Sequence, residues 1–156
     1  MTEKRGILKA NPLFKSFSDD VIERFLNSAE TRNYAAGEII FTELSEGDEI
    51  FMILEGEVSA EIALANADQT LEIQTGSAGD VFGEGCFFKP NVLRYATVTS
   101  KTPTTLWVWK GAFWREIAES NFEVGYRLAL GIGTTFLERL RHWNTRILEN
   151  VSWGLE

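Results

Sequence analysis

Apolar positions in the middle of this chain come in short runs separated by turn residues. The segments 38–42, 49–54, 57–64, 69–75, 95–99 and 104–109 are rich in Ile, Val, Phe, Thr and Trp and are bounded by Gly, Asp, Asn and Pro, a pattern that predicts strands. Many short strands with little helix between them predict a mainly β fold with flanking helices, built as an eight-stranded antiparallel jelly roll (a β-roll) over about 33–110. Before the roll, Ser18-Asp19-Asp20 are placed to cap a short amphipathic helix whose apolar face is Val21, Ile22, Phe25 and Leu26. After Trp109 the period turns helical, over Ala112 to Ala118 and then from about Asn121 to Asn150, so helices fill about 111–151. No repeat, low-complexity tract or linker interrupts this order, and a single domain over 1–156 is expected.

The long last helix carries two stripes. Leu130, Gly133, Leu137, Leu140, Asn144, Ile147 and Val151 step by three and four, a heptad seam with one polar Asn in it, which is a known register device in two-stranded coiled coils. A parallel homodimer is the expected use of this seam; the alternative is that it packs on the chain's own roll. The second stripe, Ile132, Phe136, Arg139 and Trp143, lies roughly 100° round the helix and is the better placed to face a ligand. Gly125, Gly131 and Gly133 interrupt the same stretch, each weakening it by about 1 kcal/mol against Ala, and mark a candidate hinge.

Composition narrows the function classes. The chain has 156 residues, 44% of them hydrophobic, enough for a real core, and a net charge of -8 that opposes nonspecific nucleic-acid binding. Its one cysteine, Cys86, allows no internal disulfide, the N-terminus lacks the apolar run of a signal peptide, and Leu128 to Ile132 is far short of the roughly 20 residues a membrane span requires. A cytoplasmic location is expected, with no membrane and no nucleic-acid partner. His142 is the only histidine, so a metal centre of the cupin type lacks its ligands, and no Ser-His, Cys-His or P-loop arrangement appears. Neither enzyme activity nor a metal or other cofactor is expected. Cys86 reads as a small packed residue, although its place at a helix start would lower its pKa.

Chemistry concentrates in residues 79–98. Gly83 and Gly85 let the backbone pass close to a ligand, and Cys86, Phe87 and Phe88 are enough for one helical turn whose free N–H groups can receive an anion. Arg94 adds a planar fork of donors matched to two phosphate oxygens, while Glu84, an acceptor when ionised, would repel phosphate and suits a sugar hydroxyl. The alternative is an exposed Glu84–Arg94 salt bridge between turns.

Phe82-Gly83-Glu84 followed by Arg94-Tyr95-Ala96-Thr97-Val98 resembles the phosphate-binding cassette of the cyclic nucleotide-binding domain family, with a Glu-to-Arg interval like that of the bacterial catabolite activator protein. The likeness extends through Leu13-Phe14, Tyr34 to Phe41, Glu46 to Val58 and Gly76 to Asp80, covering roughly 7–150. The resemblance implies that Glu84 takes a ribose 2'-hydroxyl and Arg94 a cyclic phosphate. It also implies that Gly83, Gly85, Cys86, Tyr95 and Ala96 complete the cassette. A residue of the last helix then covers the base, which falls on Arg139 or Trp143 with Phe136 beside them, and Ile73 and Gln74 line the base side. Transcription factors of the family carry a helix-turn-helix after that helix, for which no residues remain here.

Two positions depart from the family pattern. Gly85-Cys86 stand where a larger aliphatic and a small residue are usual, and Tyr95 stands where a small residue is usual. Three readings stay open: a sensor for a cyclic mononucleotide, cAMP ahead of cGMP because Tyr95 replaces the Thr of cGMP-preferring members, which passes its signal through the last helix to a separate effector; a scaffold that has lost the ligand; and a cyclic dinucleotide receptor with Arg139 or Arg141 as its second cation.

Overall fold

The computed structural model describes residues 2–64 and 68–152. Two helices, α1 (Thr2–Ala10) and α2 (Asp19–Ser28), precede the strands β1 (Glu30–Tyr34), β2 (Ile39–Phe41), β3 (Glu46–Gly47), β4 (Glu49–Glu55), β5 (Val58–Ala63), β6 (Thr70–Gly76), β7 (Val81–Phe82), β8 (Val92–Leu93), β9 (Thr97–Ser100) and β10 (Thr104–Lys110). The helices α3 (Gly111–Ser120) and α4 (Phe122–Ser152) follow. Eight strands form two four-stranded antiparallel sheets, ordered β1-β10-β4-β7 and β2-β9-β5-β6, and β3 pairs with β8 as a separate ribbon. This is the jelly roll with flanking helices that the pattern predicts, with the small ribbon added.

The central strands are apolar on both faces, and the structure shows why. Successive side chains of a strand point to opposite faces. In β4, Phe51 and Ile53 enter the roll interior with Val58, Val98, Leu106 and Val108, while Ile50 and Met52 face the helices. In β10, Leu106 and Val108 point inward, and Trp107 and Trp109 join Phe14, Ile22, Phe25, Trp114, Ile117, Leu128 and Ile132 in the core between roll and helices. Trp109 is buried there with its indole N–H donating to the Phe25 carbonyl at 2.8 Å, so its one polar group is satisfied. Among the described residues no helix is long and apolar enough to cross a membrane.

Several expectations need correction. The strand expected at 95–99 is β9 at Thr97–Ser100, which leaves Tyr95 and Ala96 in the segment that enters it. β1 begins at Glu30, ahead of the expected start of the roll, and its polar Thr31-Arg32-Asn33 gave no strand signal. Ser18 occupies the position before α2, but its side chain makes no capping bond; its carbonyl accepts from the Ile22 N–H instead. The glycines proposed as a hinge do not interrupt the helix in this structure. α4 runs unbroken through all three, and the joint lies at Asn121, whose side-chain oxygen accepts from the Val124 N–H. Gly125 and Gly131 instead allow close packing: a Cβ would lie 2.7 Å from the Ala118 carbonyl oxygen in one case and 2.6 Å from Leu13 Cδ1 in the other.

Candidate functional site

β7 ends at Phe82; the next residue, Gly83, has a φ of +75° in the left-handed region that suits glycine, and the chain then makes a single 3₁₀ turn over Glu84–Phe87. The turn directs Glu84 inward, where it is 3% exposed. Ten residues on, the β3–β8 ribbon and the paired backbone bonds Arg94 N to Ser45 O and Leu44 N to Arg94 O, both 2.8 Å, hold Arg94 in the cavity wall, 5% exposed. Arg94 donates from Nη1 to the Gly83 carbonyl at 3.0 Å and from Nη2 to the Glu49 carbonyl at 2.9 Å. Its Nε is buried with no partner.

Both side chains open on one cavity. Its floor is apolar, from Phe41, Ile53, Val58, Ala60, Phe82 and Val98, and its polar end is Glu84, Arg94 and Arg139. Helix α4 forms the cover with Phe136, Arg139 and Trp143, the second of the two predicted stripes. Arg139 Nη1 lies 2.6 Å from Glu84 Oε1, and Nη2 donates to the Val81 carbonyl at 2.7 Å. Trp143 donates from Nε1 to Gln74 Oε1 at 3.2 Å, and Arg146 Nη2 to the Glu72 carbonyl at 3.1 Å, so α4 is fastened to β6 as well.

The electrostatics follow from this burial. Desolvation pushes the Glu84 carboxyl above its ordinary value, and Arg139 is the strongest influence holding it down, ahead of Arg94. Desolvation also works against the Arg94 charge, but a guanidinium does not give up its proton in proteins. A buried cation with N–H groups to spare, sharing the polar end of an otherwise apolar cavity with a buried carboxylate under an aromatic cover, can hold a small anion that also bears a hydroxyl and a flat ring.

Ten of the twelve candidate residues line the cavity: Gly83, Glu84, Gly85, Arg94, Tyr95, Ala96, Gln74, Phe136, Arg139 and Trp143. Ile73 and Cys86 do not. Ile73 is buried on the other face of β6 from Gln74, and Cys86 packs in the core beside α3, its thiol pushed up to about 11 by burial, the reverse of the lowering expected at a helix start. Arg139, a candidate to stack on a base, is instead tied to Glu84. At the two departures, a Cβ at Gly85 would have 3.5 Å to Tyr95 and Val92, and Tyr95 is 61% exposed at the cavity edge. Sequence reasoning missed Phe41, Gly47 and the Glu49 carbonyl. Gly47 was visible as one of the spaced glycines, yet nothing local tied it to Arg94, whose Nε lies 2.3 Å from where a Gly47 Cβ would stand.

Known proteins bear on this geometry. The isozyme 1 cGMP-dependent protein kinase of Drosophila melanogaster is 32% identical over 80 residues, 51% of this chain and 10% of the kinase, so the chain spans only a tenth of that relative's length. Among solved structures, a cyclic nucleotide-binding domain from Methylobacillus flagellatus superposes with a TM-score of 0.78 at 21% identity, covering 96% of this chain and 83% of that one. The regulatory domain of Toxoplasma gondii PKA, crystallised with cAMP, gives a TM-score of 0.66 at 22% identity over 74% of this chain and 43% of that one. These two likenesses establish the fold. The sequence model of the cyclic nucleotide-binding domain matches residues 31–121, from β1 through the cavity walls to α3, and the chain belongs to that family.

Proposed function

We propose that this chain is a sensor that binds a cyclic mononucleotide, with the cyclic phosphate on Arg94 and the ribose 2'-hydroxyl on Glu84. The observation that carries the reading is the pairing of these two buried, oppositely charged side chains at the polar end of one cavity, with Arg94 Nε unpartnered. The base then lies toward Gln74 and Tyr95 under the aromatic cover of Phe136 and Trp143. Adenine is favoured over guanine because Tyr95 replaces the threonine of cGMP-preferring members, in keeping with the cAMP in the Toxoplasma co-crystal structure. The chain acts as a single non-catalytic domain in the cytoplasm, without a nucleic-acid or membrane partner, and hands its signal through α4 to an effector protein. The outward seam of α4, with Leu130, Leu137 and Leu140 all exposed, supports a homodimer.

The scaffold reading has little support, since a buried cation held by carbonyls and a ring, with no carboxylate in contact and its Nε unpartnered, costs stability and would have no use there. The cyclic dinucleotide reading draws on Arg139, a second cation in the same cavity, but Glu84 holds it. Calorimetry of the purified chain with cAMP, cGMP and a cyclic dinucleotide tests all three. Saturable cAMP binding that vanishes in Arg94→Ala is expected; silence from all three ligands would favour the scaffold.

A further inference from the structure

Arg94 ends a long flexible stem, and hydrogen bonds to the Gly83 and Glu49 carbonyls fix the edges of its guanidinium without fixing the face. The face is supplied by Phe41, whose ring centroid lies 4.4 Å from Arg94 Cζ, within cation–π range, with Phe51 farther off at 5.8 Å. Phe41 is itself held. Phe51 and Phe82 stack at 5.0 Å with 11° between their planes, and Phe41 leans on both, at 5.7 and 5.9 Å. Gly47 closes in as well, leaving no room for even a methyl group beside the guanidinium.

We propose that Phe41 is a positioning residue for anion capture: its ring sets the plane in which Arg94 presents the N–H groups that the backbone carbonyls leave over. This rests on reading Arg94 as the phosphate ligand. Phe41 also floors the cavity, so lost packing and lost positioning have to be told apart. Packing against the ligand would matter whether or not Arg94 is present, whereas positioning acts only through Arg94.

The test is a double-mutant cycle by calorimetry on the full chain, with cAMP and cGMP as probes and thermal unfolding as a check on folding. Phe41→Leu is expected to weaken binding about fivefold, the size of a partly buried cation–π contact, and Phe41→Tyr to stay within about twofold of wild type. Because Arg94→Ala alone is expected to abolish most affinity, the cycle uses Arg94→Lys, in which Phe41→Leu is expected to cost at most about twofold. A fivefold loss in both backgrounds, or equal loss in Phe41→Tyr and Phe41→Leu, overturns the role of Phe41 while leaving the nucleotide reading intact. Wild-type silence with both probes overturns the nucleotide reading instead. The Arg94 Nε–H resonance of the free protein then decides for Phe41: a ring-shifted signal in wild type and Phe41→Tyr that collapses in Phe41→Leu supports its hold on the guanidinium, and an unchanged signal overturns it.

Discussion

Arg94 does three things that lysine cannot do together: it donates to two carbonyls at fixed angles, stacks on a ring and keeps further N–H groups in the same plane. Arg94→Lys is therefore expected to retain the charge yet lose roughly tenfold or more in cyclic-nucleotide affinity by calorimetry; wild-type affinity would mean that charge alone suffices. Gly47→Ala makes the same point from the other side, since its Cβ would lie within 2.3 to 2.5 Å of Nε, Nη2 and Cζ, and a comparable loss is expected. Glu84 and Arg94 were legible in the sequence because their spacing is a local motif. Phe41 and Gly47 were not, because each meets Arg94 only once the β-roll has closed. Ile73 and Cys86 fall outside the cavity lining, because a residue's neighbours in sequence do not say which face of a strand or 3₁₀ turn it takes. A last residue-scale effect is on pH. The hydrogen bond from Arg32, with help from Lys110, holds the Glu49 carboxyl down at about 2. A depressed carboxyl stabilises the fold above its unfolded value, and that contribution is lost as pH falls from the ordinary 4.5 through about 2. Denaturant midpoints of Glu49→Gln should fall less steeply than wild type across that window, and parallel curves would show that the ion pair is not coupled to folding.

At the scale of elements, the sequence located the strands by their apolar runs and the helices by their period, but it could not assign work to the glycines of α4. Intrinsic propensity treats the three alike, and the packing separates them. Gly125 is pressed against the Ala118 backbone, which cannot yield, whereas Gly133 has nothing within 4 Å of a would-be Cβ. Gly125→Ala is thus expected to lower stability by about 1–3 kcal/mol through overpacking at the joint between α3 and α4. Gly133→Ala is expected to raise it by about 0.5–1 kcal/mol by restricting the unfolded chain and favouring helix. Chemical denaturation distinguishes the two, and equal effects of the same sign would contradict the packing account. The short pieces were the hardest to read. β3, β7 and β8 have two residues each, too few for any periodicity, yet the β3–β8 pairing is what carries Arg94 to its wall. α1 was passed over for a related reason: only Leu8 among its described side chains is fully buried.

Across the whole molecule, α4 belongs to two surfaces at once. Its inner face is fixed by Ile132 in the core, Arg139 on Glu84, Trp143 on Gln74 and Arg146 on the Glu72 carbonyl. The helix therefore cannot roll inward to bury its outer seam, where Tyr126 is 68%, Leu130 56%, Leu137 71% and Leu140 53% exposed. Val151 of the predicted seam lies outside the described side chains. Each such half-exposed leucine forgoes about 1–2 kcal/mol of burial, which a second copy would recover by laying the same seam alongside. Sedimentation of the wild type is accordingly expected to show a dimer, and the pair Leu137→Glu and Leu140→Glu a folded monomer; a monomeric wild type at tens of micromolar would remove the seam from the account. Because one rigid helix serves both cavity and seam, ligand and dimerisation must be linked if α4 shifts when Glu84 exchanges Arg139 for a ribose hydroxyl. The linkage is reciprocal for binding free energies. A ligand that changes the dimer dissociation constant by some factor changes its own affinity between monomer and dimer to match, so the monomeric double variant should bind cAMP with an affinity displaced from wild type. Identical affinities in the two would mean that α4 keeps its position when the ligand arrives, and that the signal leaves the cavity by another element.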